Sequence, residues 1–123
     1  MTAAVVALAL LAALAVFQAL LAAGRPLGRF AWGGQHEVLP PGMRIGSVVS
    51  IALYSAFAVL LLQVAGVISP LPDGFADVAI WVVTGYFVLG IVMNAISRSR
   101  SERLTMTPVV AVLAVATLVL ALG

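Results

Sequence analysis

The stretch TAAVVALALLAALAVFQALLAAG (residues 2–24) contains no charged side chain, and its only amide side chain is Gln18. At about 1.5 Å per residue, a helix of this length is long enough to cross the hydrocarbon of a bilayer. A cleaved signal peptide would begin with basic residues ahead of a shorter apolar core, whereas residues 1–6 contain neither Lys nor Arg. The stretch therefore predicts a transmembrane helix that is retained.

The same kind of apolar stretch recurs three more times along the chain, at about residues 45–68, 76–97 and 107–122. Hydrophobic residues make up 64% of the chain and charged residues 8%, where a soluble domain has about 25% charged residues to cover its surface. This composition excludes a soluble domain. The sequence predicts an all-α fold, a four-helix transmembrane bundle that forms a single domain over residues 1–123.

Local signals place the starts of the last two helices. Asp73 or Asp77 is expected to accept hydrogen bonds from the free amides at the start of the third helix. Thr107 followed by Pro108 predicts the start of the fourth, because Thr is a good cap and Pro a favoured first residue. On this prediction the fourth span is the shortest.

The basic residues predict which way the bundle lies in the membrane. All six are arginines, and they occur only in the loops at residues 25–44 and 98–106. With four spans, both loops lie on one side, so the positive-inside rule predicts that they are cytoplasmic and that both termini are extracytoplasmic. The use of Arg without Lys, with abundant Ala and Val, suggests a GC-rich bacterial genome, so the expected location is the bacterial cytoplasmic (inner) membrane.

The chain lacks the residues that several classes of function require. There is no Cys, and His36 is the only histidine, so no metal site or other cofactor is expected. The arginines are explained by membrane orientation and by contact with anionic lipids, so no nucleic-acid partner is expected. Apart from Asp77 at the very start of the third, the predicted spans hold no ionisable side chain other than tyrosine, which argues against proton-coupled transport.

Uncharged polar side chains in three of the predicted helices fall at a similar depth. Gln18, Ser50 and Asn94 each lie about 6–10 Å below the end that carries the arginine loops, judged from the helical rise. Two interpretations remain open: hydrogen bonds that hold the helices together, and a pocket for a small molecule or lipid head group. The candidate residues of this layer are Gln18, Ser47, Ser50, Tyr54, Tyr86 and Asn94.

The loop at residues 25–44 is long for a connection between helices, and such length is associated with function. Its candidate site residues are Trp32, His36, Glu37 and Arg44. One interpretation is acid/base chemistry by His36 and Glu37 on a lipid head group. The other is an interfacial loop whose aromatic and Arg side chains lie among lipid head groups.

The stretches RFAWGGQHEVLPPGMRIGSVVS (residues 29–50) and GIVMNAISRSRSERLTMTP (residues 90–108) resemble the small four-span integral membrane proteins that occur widely in bacterial genomes without assigned activity. This resemblance implies no catalytic motif. The expected function is non-enzymatic: binding of a partner membrane protein or of an apolar, lipid-like small molecule. The alternative is a homo-oligomeric small channel or uncoupled transporter, since a chain of 12.6 kDa does not readily enclose a water-filled path alone.

Overall fold

The computed structural model describes residues 1–72 and 74–123. The described residues form four long α-helices: α1 (Thr2–Ala22), α2 (Pro41–Val64), α3 (Phe75–Ala95) and α4 (Arg100–Leu122). Each is long and apolar enough to cross a membrane. The all-helical prediction is confirmed, and the four apolar helices suggest a membrane helical bundle.

Glycines in the left-handed conformation end the first two helices. Gly24 (φ 87°) follows α1 and Gly66 (φ 83°) follows α2. The amide of the residue after each glycine donates to a carbonyl five residues back, the bond that closes this type of helix end. Both helices therefore end slightly before the predicted limits at residues 24 and 68, because glycine adopts this conformation without strain.

The start of α2 was predicted too late, at residue 45. The helix begins at Pro41, and Pro40 before it has an extended backbone (ψ 162°). Proline and glycine in this segment argue for a loop, but proline is well suited to the first helical position, where no amide hydrogen is needed. Arg44 therefore belongs to the first turns of α2 and not to the preceding loop.

The predicted start of α4 at Thr107 is also wrong. The helix begins at Arg100, and the Ser99 hydroxyl caps it by accepting a hydrogen bond from the Glu102 amide at 3.3 Å. Pro108 lies inside the helix. With 23 residues, α4 is longer than α1 and α3, which have 21 each. Most of the predicted loop 98–106 is consequently helical.

A tight turn joins α2 to α3, and a side chain of α2 fixes it. The Gln63 amide group accepts a hydrogen bond from the Leu71 amide at 2.8 Å and donates to the Leu71 carbonyl at 3.1 Å. Gly74 precedes α3, and Asp77 lies in the first turn of that helix, where its charge is favourable. The prediction for Asp73 lies outside the described residues.

The helices pack as a four-membered bundle in which α1 contacts α2 and α4, and α3 packs mainly against α4. Large apolar side chains fill the centre, among them Leu61, Phe87 and Leu113. Contacts between α2 and α3 are few, although these helices are joined by a short turn. An apolar groove of about 820 Å³ lies between them, lined by residues such as Phe57, Val78 and Val82.

The segment between α1 and α2 is a compact cap, defined here as residues 23–40. It contains two short 3₁₀ turns, at Gly28–Phe30 and Trp32–Gly34. Ala31 and Leu39 of the cap pack with Leu21 of α1 in a small apolar core of their own. The end of the bundle that carries this cap and the start of α4 is called the capped end below.

The cap is docked on the start of α4. The Ser99 hydroxyl donates a hydrogen bond to the Arg29 carbonyl, and Gly34 lies directly against the Ser99 side chain. The Arg44 side chain donates to the Leu39 carbonyl at 2.8 Å and lies beside Gly24. The residues predicted as an interfacial loop thus form a structured part of the protein.

Candidate functional site

A cavity of about 180 Å³, called the polar cavity below, lies at the capped end of the bundle. Gln18 of α1, Ser50 and Tyr54 of α2, and Asn94 of α3 all line it. These are residues of the predicted polar layer, and they share one cavity because the helical rise places them at the same depth.

Side chains of this layer form hydrogen bonds mainly within their own helices. Ser50 Oγ donates to the Gly46 carbonyl at 3.0 Å, and Asn94 Nδ2 donates to the Gly90 carbonyl at 2.7 Å. Such bonds to the preceding turn satisfy the Ser50 hydroxyl and one of the two Asn94 N–H groups locally. The Ser50 lone pairs and the Asn94 Oδ1 atom are not used in these bonds and remain as acceptors.

One pair in the layer connects two helices, since the Gln18 amide group lies beside the Tyr54 hydroxyl. The other two candidate residues lie elsewhere. Ser47 is fully buried and directs its hydroxyl to the Met43 carbonyl at 3.5 Å. Tyr86 packs edge-to-face against Phe57, with ring centroids 5.3 Å apart.

A second cavity of about 280 Å³ adjoins the polar cavity and shares Tyr54 and Asn94 with it. Its remaining walls are largely apolar or aromatic and include Tyr86, Phe87 and Met93. The two cavities together provide a polar region near the cap and an apolar region beside it. A molecule with one polar end and an apolar body fits this arrangement.

Glu102, which the sequence prediction placed in a loop, is the charged residue of the polar cavity. It lies in the first turn of α4, only 8% of its surface is exposed, and it lines the cavity. Because α4 begins at Arg100, Glu102 lies inside a helix, although outside the predicted span at residues 107–122. The Ser-x-x-Glu pattern at residues 99–102, typical of a helix start, could have located it.

Glu102 does not complete the capping arrangement that this pattern normally forms. In a full capping box, the glutamate accepts a hydrogen bond from the amide of the capping residue. Here the Ser99 amide donates instead to Ser97 Oγ at 3.1 Å. The carboxylate of Glu102 is thereby left free to line the cavity.

Aromatic side chains form the wall on the side of the cap. Phe30 packs edge-to-face on Phe17 of α1, with ring centroids 6.4 Å apart, and both line the polar cavity. The Trp32 ring lies against Gly46 of α2. Trp32 has a positive φ of 54°, a conformation that disfavours side chains and is concentrated at functional sites.

The four residues predicted as a loop site are not brought together. Trp32 lines the polar cavity, whereas Arg44 fastens the cap to the end of α1. His36 and Glu37 are exposed, and the Glu37 carbonyl accepts a hydrogen bond from the Gly28 amide at 2.8 Å. His36 and Glu37 therefore contribute their backbone to the cap.

The fold and the cavity together define the class of the molecule: a small helical bundle of membrane type with a capped, partly polar cavity at one end. Comparisons of the chain with protein-family models, with curated proteins and with solved structures give no match.

Proposed function

We propose that this chain is a multi-pass protein of the bacterial cytoplasmic membrane that binds a small, partly apolar molecule at its capped end, without chemical conversion. The observation that supports this proposal is the convergence of Gln18, Ser50, Asn94 and Glu102, from all four helices, on one cavity. Pockets that bind small molecules typically combine apolar walls with a few convergent polar groups.

The hydrogen bonds of the layer favour binding over helix packing. Ser50 donates within α2 and one Asn94 N–H group donates within α3, so these two bonds do not hold neighbouring helices together. The Gln18–Tyr54 pair does join α1 to α2. The adjoining cavity, with Tyr86 and Met93 in its walls, provides space for the apolar part of the ligand. The buried centre of the bundle, filled by Leu61 and Leu113, does not favour a pore through a single chain.

The same proposal includes an orientation, with the capped end in the cytoplasm and both termini outside. It is supported by the position of every arginine in or beside the cap and the first turn of α4. In this position the exposed guanidinium groups contact the anionic head groups of the inner leaflet.

Single cysteines should report this orientation in intact cells, because the chain contains no native cysteine. A Gln35→Cys variant, exposed in the cap, is expected to react with a membrane-impermeant maleimide only after the cells are permeabilised. The matched Ser69→Cys variant, exposed in the turn between α2 and α3, is expected to react without permeabilisation. The reverse pattern would show that the bundle lies the other way up.

An Asn94→Leu variant should distinguish a binding cavity from a helix-packing layer. We expect it to lose a molecule that co-purifies with the wild-type protein, while the ligand-free stability changes by less than about 0.6 kcal/mol, the average for a hydrogen bond between membrane helices. Native mass spectrometry measures the bound molecule, and unfolding in micelles measures the stability.

Val92→Leu is the matched control for this experiment, because Val92 is exposed on the same helix. Val92→Leu should change neither the amount of co-purifying molecule nor the stability of the ligand-free protein. If Asn94→Leu instead destabilised the protein by about 1–2 kcal/mol and the bound mass were retained, the layer would serve helix packing. The same mass spectra test the alternative of a homo-oligomeric channel or uncoupled transporter, which requires several copies per particle.

A further inference from the structure

We propose that the polar cavity binds a small organic ammonium ion, with the charged nitrogen against the carboxylate of Glu102 and the apolar part in the adjoining cavity. This inference depends on the proposed function, because it names the chemical class of the ligand for the same site. It adds the charge of the ligand and the residue that recognises that charge.

Glu102 is buried at the edge of the polar cavity. Only 8% of the residue is exposed, and it lines a cavity among Phe17, Phe30 and Met106. Within residues 1–72 and 74–123, the bonds of this region go to Ser97 and Ser99 and none involves the Glu102 carboxylate. The Glu102 oxygens are not among the fully enclosed unpaired atoms, as expected for a group that lines a cavity. Buried carboxylates are usually paired with a cation, because an uncompensated buried charge is strongly unfavourable.

The arginines near the cavity have other partners. Arg103 donates to the Ser97 carbonyl at 3.1 Å, and Arg44 donates to the Leu39 carbonyl at 2.8 Å. The Arg29 guanidinium lies 4.9 Å from the centre of the Phe30 ring, and Arg29 is exposed. These interactions direct the three arginines away from Glu102, whose carboxylate remains available to a cation that enters the cavity.

The walls favour an organic ammonium ion over a metal ion. Rings of Phe17, Phe30, Trp32 and Tyr54 line the cavity, and aromatic faces attract ammonium groups. Ser50 and Asn94 use donors within their own helices, so their remaining acceptors can receive N–H groups. Hard metal ions require several oxygen ligands and gain little from aromatic walls.

The volumes of the polar cavity and of the adjoining cavity limit the size of the ligand. A cavity of about 150 Å³ holds one benzene molecule, so the polar cavity of about 180 Å³ holds a comparably small group. The adjoining cavity, of about 280 Å³ with Phe87 and Leu89 in its walls, accepts a short hydrocarbon chain. A primary ammonium ion with a short alkyl chain matches both regions.

Isothermal titration calorimetry of the protein in nanodiscs tests this inference with n-butylammonium chloride as the probe. The neutral 1-butanol has nearly the same shape, and sodium chloride supplies an inorganic cation. We expect the wild-type protein to bind n-butylammonium, and to bind 1-butanol and sodium at least tenfold more weakly. Equal binding of 1-butanol, preference for sodium, or no binding of n-butylammonium would overturn the inference.

Variants then test the role of the carboxylate. Glu102→Gln keeps the size of the side chain and is expected to weaken n-butylammonium binding at least tenfold, while circular dichroism shows an unchanged helix content. Asp77→Asn removes one negative charge at the opposite end of the bundle, where Asp77 is exposed, and should leave the binding unchanged. Unchanged binding by Glu102→Gln, or equal losses in both variants, would refute recognition by Glu102.

The two proposals fail in different ways. If Asn94→Leu loses a co-purifying molecule but the wild-type protein does not bind n-butylammonium, the cavity is a binding site and the ammonium assignment is wrong. If the wild-type protein binds n-butylammonium and neither Glu102→Gln nor Asn94→Leu weakens that binding, the ammonium ion lies outside the polar cavity and the ammonium assignment is wrong. Loss of the co-purifying molecule by Asn94→Leu then still tests the proposed function separately.

Discussion

Replacing Gly28 by alanine is expected to disrupt the cap and to destabilise the protein by about 3 kcal/mol, the upper end of the usual range for an overpacked site. A Cβ atom on Gly28 would overlap the His36 carbonyl oxygen and lie 2.8 Å from the Glu37 carbonyl oxygen. Both atoms belong to the backbone, so no side-chain rotation relieves the overlap. Equilibrium unfolding in mixed micelles measures the change.

Gly42→Ala is the control for this substitution. Gly42 lies in the first turn of α2, and a Cβ atom there would meet no atom within 4 Å. It also has no positive φ, so we expect unchanged or slightly higher stability, because alanine favours helix more than glycine does. Similar losses in both variants would show that the packing of Gly28 against His36 and Glu37 does not stabilise the cap.

The second large effect is expected from Gly34→Ala, at the contact between the cap and α4. Gly34 has a φ of 72°, and its Cβ atom would lie 2.6 Å from Ser99 Cβ. The substitution combines the strain of a left-handed alanine, about 1 kcal/mol, with an overlap of about 2 kcal/mol. We therefore expect a total loss of about 3 kcal/mol in the free energy of unfolding.

Gly33→Ala separates these two contributions. Gly33 has nearly the same φ, 70°, but a Cβ atom there would meet nothing within 4 Å. It should cost only the backbone strain, about 1 kcal/mol. The difference between the two variants then measures the contact with Ser99, and equal losses would show that the cap is not docked on α4 as described.

Gly28→Ala and Gly34→Ala are also expected to reduce ligand binding, because the cap supplies Phe30 and Trp32 to the wall of the polar cavity. A displaced cap would open the cavity to water, which weakens the attraction between a bound cation and the Glu102 carboxylate. The variants therefore link the stability of the cap to the proposed function of the cavity.

The four helices were predictable because their apolar stretches are long and separated by clear breaks. The agreement in depth of Gln18, Ser50 and Asn94 was predictable as well, since the rise of a helix converts sequence position into depth. The starts of α2 and α4 were not recovered, because the Pro41 and Ser99 signals are local and were outweighed by polar composition. Which side of the membrane the capped end faces remains a prediction.

Sequence alone determined the number of long apolar helices and the shared depth of Gln18, Ser50 and Asn94, because hydrophobic length and helical rise can be read along each segment separately. Only the tertiary structure decided that the cap docks on Ser99 and that Glu102 lines the cavity. The Glu102 side chain is free because Ser97 satisfies the Ser99 amide. That arrangement follows from the approach of the cap to α4, which brings together segments about 70 residues apart, a contact that no local pattern encodes.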